Sequence, residues 1–317
     1  MTRAERRRWV IRNRILAVLC MAAIIAVVII IIAAASNAKG KKTAENNEQA
    51  VTQTVEEGTT TEETTTEETT TEETTPARTY GNWDIASLSS DRVACGFVRE
   101  NVNEDNVPLG VLSFQEAYGE YNADFVEDTS KKVIYLTMDE GYANEETAEE
   151  LDIYKEKGVN ITFFCTMDFL ENCPDLVQRM VDEGHAVGSH SATHPHMIEL
   201  SQSEQEDEIM SVANVLKEDY DYEVRYFRFP YGEFNEQSLG IVDNLGLKSV
   251  FWSFAYDDYS EEQPDVQESL QLALSCVCPG AIFLLHAESS TNLAMLSDFI
   301  DGVREMGYEF GGPIPLD

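Results

Sequence analysis

Asp139 and Glu140 stand side by side behind an apolar run, Val133 to Met138, and they are the first of several reactive groups placed where such runs stop. An apolar stretch broken by two acids and a glycine, Gly141, has the pattern of a buried strand that delivers carboxylates to a surface. His190 and His194 follow another run in Gly-Ser-His-Ser-Ala-Thr-His-Pro-His, and Arg228 ends a third. Asp258 and Tyr259 come after a fourth, and His286 directly follows Leu284-Leu285. Two imidazoles four residues apart can face one ion if their segment is helical, and a carboxylate can complete a three-ligand site with room for water. A lone pair of this kind is more often ordinary core or surface histidine; opposite an acidic pair at a strand end, the metal reading gains. His185 and His196 are expected to be structural.

Groups so far apart in the chain can meet only if the strand ends share a face, which parallel strands provide. The apolar runs at Val133 to Thr137, Asn160 to Cys165, Ala186 to Ser189, Arg225 to Phe227, Lys248 to Trp252, Ala281 to Leu285 and Tyr308 to Phe310 alternate with helical patterns. Asn144 is placed to cap a helix ending at Gly158, Pro174 to open one closed by Gly184, and Ser201 with Glu204 to form a capping box. Further helices are expected from Asn235 to Leu245 and from Asn292 to Met306. About seven such units predict an α/β fold with a parallel sheet curled into a complete or incomplete barrel. The alternative is a flat doubly wound sheet, but no Gly-x-Gly-x-x-Gly turn accompanies a strand end.

The first quarter of the chain reads differently. Residues 1–14 hold six arginines against one acid, and 21 uncharged residues follow, Ile15 to Ala35. As a helix that run is about 31 Å long, enough to cross a bilayer. The expectation is a single transmembrane anchor over 15–35 with residues 1–14 in the cytoplasm and the rest extracytoplasmic. A cleaved signal peptide is the competing reading, with Ala33-Ala34-Ala35 as its cleavage site. Residues 36–79 are a Thr/Glu-rich tether in which Thr-Thr-Thr-Glu-Glu repeats from Thr59 to Glu73, a composition that predicts disorder. Residues 80–131 are expected to pack as an N-terminal extension on a main domain, 132–317. A net charge of −36 makes nucleic acid and anionic lipid poor partners. Five cysteines lie beyond the span, an odd number that excludes a fully paired disulfide scaffold.

Five segments, in order, resemble the motifs of the polysaccharide deacetylases, the NodB-type domains of carbohydrate esterase family 4. They are Thr137-Met138-Asp139-Glu140-Gly141, His190-Ser191-Ala192-Thr193-His194, Arg228-Phe229-Pro230-Tyr231, Asp258-Tyr259 and Leu284-Leu285-His286. The resemblance is closest to the delta-lactam-biosynthetic de-N-acetylase branch, through Ile134-Tyr135-Leu136-Thr137, Phe251-Trp252-Ser253 and Pro279 to His286. It implies an irregular (β/α)7 barrel of the NodB type and a metal-dependent deacetylation. By that resemblance Asp139 is the general base, oriented by Arg228, and His286 is the general acid, supported by Asp258. His190, His194 and Glu140 hold a divalent ion, zinc foremost, with cobalt or manganese as substitutes. Tyr231 contributes a backbone N–H to the oxyanion, and Tyr259 lines the pocket.

Two positions depart from the family pattern: Glu140 stands where a second aspartate is usual, and Tyr259 where tryptophan is common. The expected activity is removal of N-acetyl groups from peptidoglycan amino sugars, N-acetylmuramic acid foremost, by a monomer in a spore-forming bacterium. The rivals are a deacetylase of chitin oligosaccharides or xylan, and a wall-glycan-binding module with weak turnover.

Overall fold

The structure, a computed structural model, describes residues 80–316. The segments expected to be a cytoplasmic basic stretch (1–14), an anchor (15–35) and a linker (36–79) lie outside the described residues. Among the described residues no helix is long and apolar enough to cross a membrane.

Ten strands and eight α-helices make up the described part. The extension contributes β1 (Val93–Ala94), α1 (Leu109–Tyr118) and β2 (Ala123–Asp124). The main domain then runs β3 (Val133–Glu140), α2 (Glu146–Lys157), β4 (Thr162–Cys165), α3 (Met167–Asn172), α4 (Pro174–Asp182) and β5 (Ala186–Ser189). It continues with α5 (Gln202–Tyr220), β6 (Tyr226–Phe227), β7 (Glu233–Phe234), α6 (Glu236–Asn244) and β8 (Lys248–Val250). It closes with α7 (Val266–Ser275), β9 (Ile282–His286), α8 (Ser290–Glu305) and β10 (Glu309–Phe310).

Seven of these strands answer the seven apolar runs, and they form a curled parallel sheet. β3 lies between β9 and β4, β4 is followed by β5, β6 and β8, and β2 of the extension adds to β8. A single parallel bridge, Phe254 to Phe283, joins the chain after β8 to β9 and brings the sheet round on itself. Short parallel strands joined by helices are buried on both faces, which is why the runs read as continuously apolar instead of alternating. In β3 every residue after Val133 is buried, including Asp139 and Glu140.

The helix ends follow local chemistry. Ser201 and Glu204 form the expected capping box of α5, and Pro174 opens α4. Asn144 caps α2 from one residue before its boundary, its Oδ1 accepting from Thr147 N at 2.9 Å. α8 begins two residues earlier than expected because Ser289, not Asn292, accepts from the helix start. Gly280 is held at φ 74° in the turn into β9, where a side chain would strike the Glu127 carbonyl, so the extension and the turn approach closely only with glycine there.

Phe125 of the extension stacks on Phe251 with centroids 4.3 Å apart, and Phe229 and Phe234 complete the cluster. β1 pairs antiparallel with β7, Val93 opposite Phe234 and Ala94 opposite Glu233. The extension is thus built into the same core as the main domain.

Candidate active site

The ends of β3, β5, β6 and β9 open into one cavity of about 800 Å³, lined among others by Asp139, His190, His194, Tyr231, Tyr259 and His286. Parallel register puts Asp139 directly opposite His286 across β3 and β9. Residues almost 150 positions apart in sequence therefore stand next to one another.

Arg228, fully buried, is the anchor of the site. Its Nη1 donates to Asp139 Oδ1 at 2.8 Å, its Nε to Val250 O at 3.0 Å and its Nη2 to Phe251 O at 3.2 Å. Its guanidinium also lies over the Phe164 ring, 4.1 Å from the centroid. A buried guanidinium in this fork leaves little freedom to the carboxylate it holds. Burial alone would raise the Asp139 pKa, but Arg228, His190 and His286 together carry it below the usual carboxylate range.

The other oxygen of Asp139, Oδ2, lies 3.4 Å from His190 Nε2. His190 Nδ1 is 3.0 Å from the Arg228 carbonyl. A carbonyl can only accept, so Nδ1 carries the proton and Nε2 presents a lone pair to the cavity. Burial lowers the His190 pKa and keeps the ring neutral.

His194 reaches the same place by an unexpected route. Residues 190 to 196 are a loop, not a helix, and Ser191 and His194 both take positive φ, 62° and 57°. That tightening brings the two rings to a centroid distance of 4.8 Å. Burial, followed by the neighbouring His190, lowers the His194 pKa to about 4.

On the opposite wall His286 Nδ1 donates to Asp258 Oδ1 at 2.7 Å, and Asp258 Oδ2 accepts from the His286 backbone N–H at 2.9 Å. Asn292 Nδ2, at the start of α8, donates to the same Oδ2 at 2.6 Å. Asn292, expected only as a helix start, had no foreseen part in the site, since only the turn of β9 into α8 brings it to Asp258. Burial works to lower the His286 pKa, but the hydrogen bond and charge of Asp258, with Asp139 and Glu288 behind, override it and push it up to about 9.

Tyr259 is exposed and edge-on to the His286 ring at 5.3 Å. Tyr231 is exposed too and adopts φ 59°, a rare conformation for a residue with a side chain. Glu288, also unforeseen, lines the cavity and accepts from Tyr142 N at 3.3 Å.

Glu140 departs from expectation. Side chains alternate across a strand, so with Asp139 turned to the cavity its neighbour turns to the helix layer. There the Glu140 carboxyl meets Thr147 Oγ1 at 3.0 and 3.2 Å and Asn144 Nδ2 at 3.3 Å, and it is wholly buried. Burial, then the charge of Glu288, drives its pKa well above the usual carboxylate range. Among the described residues no three His, Cys, Asp or Glu side chains are grouped to hold an ion. Of the expected set, His190 and His194 stand together, and the Glu140 carboxyl is bonded to Thr147 and Asn144.

The sequence model of the polysaccharide deacetylase family matches residues 126–250. The peptidoglycan-N-acetylmuramic acid deacetylase PdaA of Bacillus subtilis is 38% identical over 192 residues, 60% of this chain and 73% of that protein. The peptidoglycan-N-acetylglucosamine deacetylase PgdA of Listeria monocytogenes is 32% identical, over 57% of this chain and 38% of that protein. The solved structure of B. subtilis PdaA, a family 4 carbohydrate esterase, superposes with a TM-score of 0.67 at 32% identity, covering 71% of this chain and 96% of that one. The chain therefore belongs to the polysaccharide deacetylases of carbohydrate esterase family 4, metal-dependent hydrolases of the N-acetyl amide bonds of glycans.

Proposed function

We propose that this protein hydrolyses the N-acetyl groups of peptidoglycan amino sugars, N-acetylmuramic acid foremost, in a step that precedes muramic delta-lactam formation. The observation that carries the proposal is the meeting of two oriented couples in one cavity, Asp139 on Arg228 and His286 on Asp258, with Asp139 and His286 in register. One couple holds an ionised carboxylate and the other a protonated imidazole, the complementary pair that amide hydrolysis needs.

In this reading Asp139 takes a proton from water as its oxygen adds to the acetyl carbonyl carbon. The resulting oxyanion accepts from the backbone N–H of Tyr231. His286 Nε2 then delivers its proton to the departing nitrogen, the C–N bond breaks, and acetate and a free amine result. Asp258 and Asn292 hold the imidazole in place, and Tyr259 lines the sugar's approach. His190 and His194 stand as two imidazole donors for the family's divalent ion, zinc foremost, with cobalt or manganese as substitutes; Glu140 is left out of that set.

The sugar assignment rests on the higher identity to the N-acetylmuramic acid deacetylase than to the N-acetylglucosamine deacetylase. Mass spectrometry of muramidase-digested peptidoglycan, before and after treatment with the full-length chain, tests it. Loss of 42 Da, the mass of one acetyl group exchanged for hydrogen, is expected on the muramic acid ring; loss confined to glucosamine overturns the assignment.

A membrane anchor at 15–35 and an extracytoplasmic catalytic domain belong to the same proposal and are supported by the charge and hydropathy pattern of the N-terminus, and a role in sporulation by the branch resemblance. The withdrawal of Glu140 from the histidines favours one second reading, a wall-glycan-binding protein of weak turnover. Glycan binding by wild type without acetate release would select it.

A further inference from the structure

A group of side chains beyond the reacting atoms is organised around the exposed ring of Tyr231. His196, two residues past His194, stacks on Tyr231 with centroids 4.3 Å apart and planes 18° from parallel. Its Nδ1 is 2.8 Å from Glu233 Oε2, and the other Glu233 oxygen binds Arg92 of the extension. The edge of His194 meets Tyr231 at 4.7 Å. Glu233 is itself fixed opposite Ala94 by the pairing of β1 with β7.

Tyr231 is therefore held on two sides, yet it keeps 56% of its surface exposed and lines the cavity. It is not alone there: Tyr142 and Tyr259, exposed by 66% and 69%, line the same mouth. An exposed aromatic ring costs solvation and is seldom locked in a strained backbone without use. Flat apolar faces beside the cavity's few charged and imidazole groups suit a pyranose, whose C–H face is apolar and whose rim is hydroxylic.

We propose that the Tyr231 ring is a binding shelf for the sugar next to the one being deacetylated, and that His196 is a positioning residue that keeps the shelf in place. The ligand class is an N-acetylated glycan of two or more sugars. This rests on the deacetylase reading and adds to it that the enzyme reads neighbouring sugars within a strand. The chain from Arg92 through Glu233 to His196 also gives the N-terminal extension a part in substrate binding, although its sequence carries no reactive group.

The test compares kcat and KM for acetate release by the full-length chain on N-acetylated tetrasaccharide and on the N-acetylated monosaccharide. For His196→Ala the ratio of kcat/KM on the longer substrate to that on the shorter should fall about tenfold, through KM, as loss of one aromatic stack allows. His196→Phe, which restores a ring without the Glu233 bond, should recover part of that ratio, and Arg92→Ala should lower it by about threefold. An unchanged ratio in His196→Ala, or an equal loss on both substrates through kcat, overturns the shelf while leaving the deacetylase reading intact. No acetate from wild type on either substrate removes the deacetylase reading and the shelf with it.

Discussion

His286 keeps its proton to about pH 9 because Asp258 accepts from its Nδ1 and stands charged beside it. In the proposed mechanism His286 is thereby in its acid form throughout the neutral range, while Asp139, held by Arg228, is already ionised. The pH profile of kcat/KM should be flat between these limits and fall on the alkaline side near 9. Asp258→Asn removes the charge that raises His286, so its alkaline limb should move toward ~6.5, with a loss of about thirtyfold at pH 8 from protonation alone. An alkaline limb unmoved in Asp258→Asn would contradict the assignment of the acid. Glu140 yields a second expectation. Because its carboxyl is bonded to Thr147 and Asn144 away from the histidines, Glu140→Gln should leave zinc affinity within about threefold, while His190→Ala should cost more than about a hundredfold. Zinc titration by calorimetry checks both, and a large loss in Glu140→Gln would return that carboxylate to the metal.

At the scale of elements, β3 and α2 set what the site can and cannot use. β3 is buried on both faces, so its sequence shows no alternation, and nothing in the letters tells which of two adjacent acids faces the cavity. Seven of the ten described strands were legible as apolar runs, and several helix ends as caps, because those signals are local; the two-residue β1, β2 and β7 were not. The partners of the catalytic groups were legible only where they followed a strand end, as Asp258 does. Asn292 and the Arg92–Glu233–His196 chain were not, since each depends on pairings between distant segments. α2 carries a further burden: Glu150 is fully buried with neither carboxylate oxygen partnered, and the hydroxyl of Tyr154 one turn on has none either. Burial first, and then the charges of Glu140 and Glu146, raise the Glu150 pKa well above its usual range. A carboxyl raised by folding stabilises the protein least at high pH, since ionising it in the folded state costs more than in the unfolded. Glu150→Leu should therefore add about 1–3 kcal/mol to the unfolding free energy at pH 8. The gain should shrink as pH falls below the ordinary glutamate range near ~4.3, where the wild-type group is neutral in both states. Denaturant melts at two pH values would show this, and a gain independent of pH would assign the effect to packing.

On the scale of the whole molecule, a curled parallel sheet gathers Asp139, His286 and the two further imidazoles of His190 and His194 at one mouth, margined by the exposed rings of Tyr142, Tyr231 and Tyr259. The fold class followed from the alternation of runs and caps, whereas the closing bridge between Phe254 and Phe283 had no local signal. The account as a whole is tested most directly by acetate release from purified peptidoglycan by the full-length chain, measured beside Asp139→Asn and His286→Ala. Wild type should release acetate, and each substitution should lower the rate by about a hundredfold or more, the usual weight of a general acid or base. Release that both substitutions leave unchanged, or strands bound by wild type without release, would contradict it.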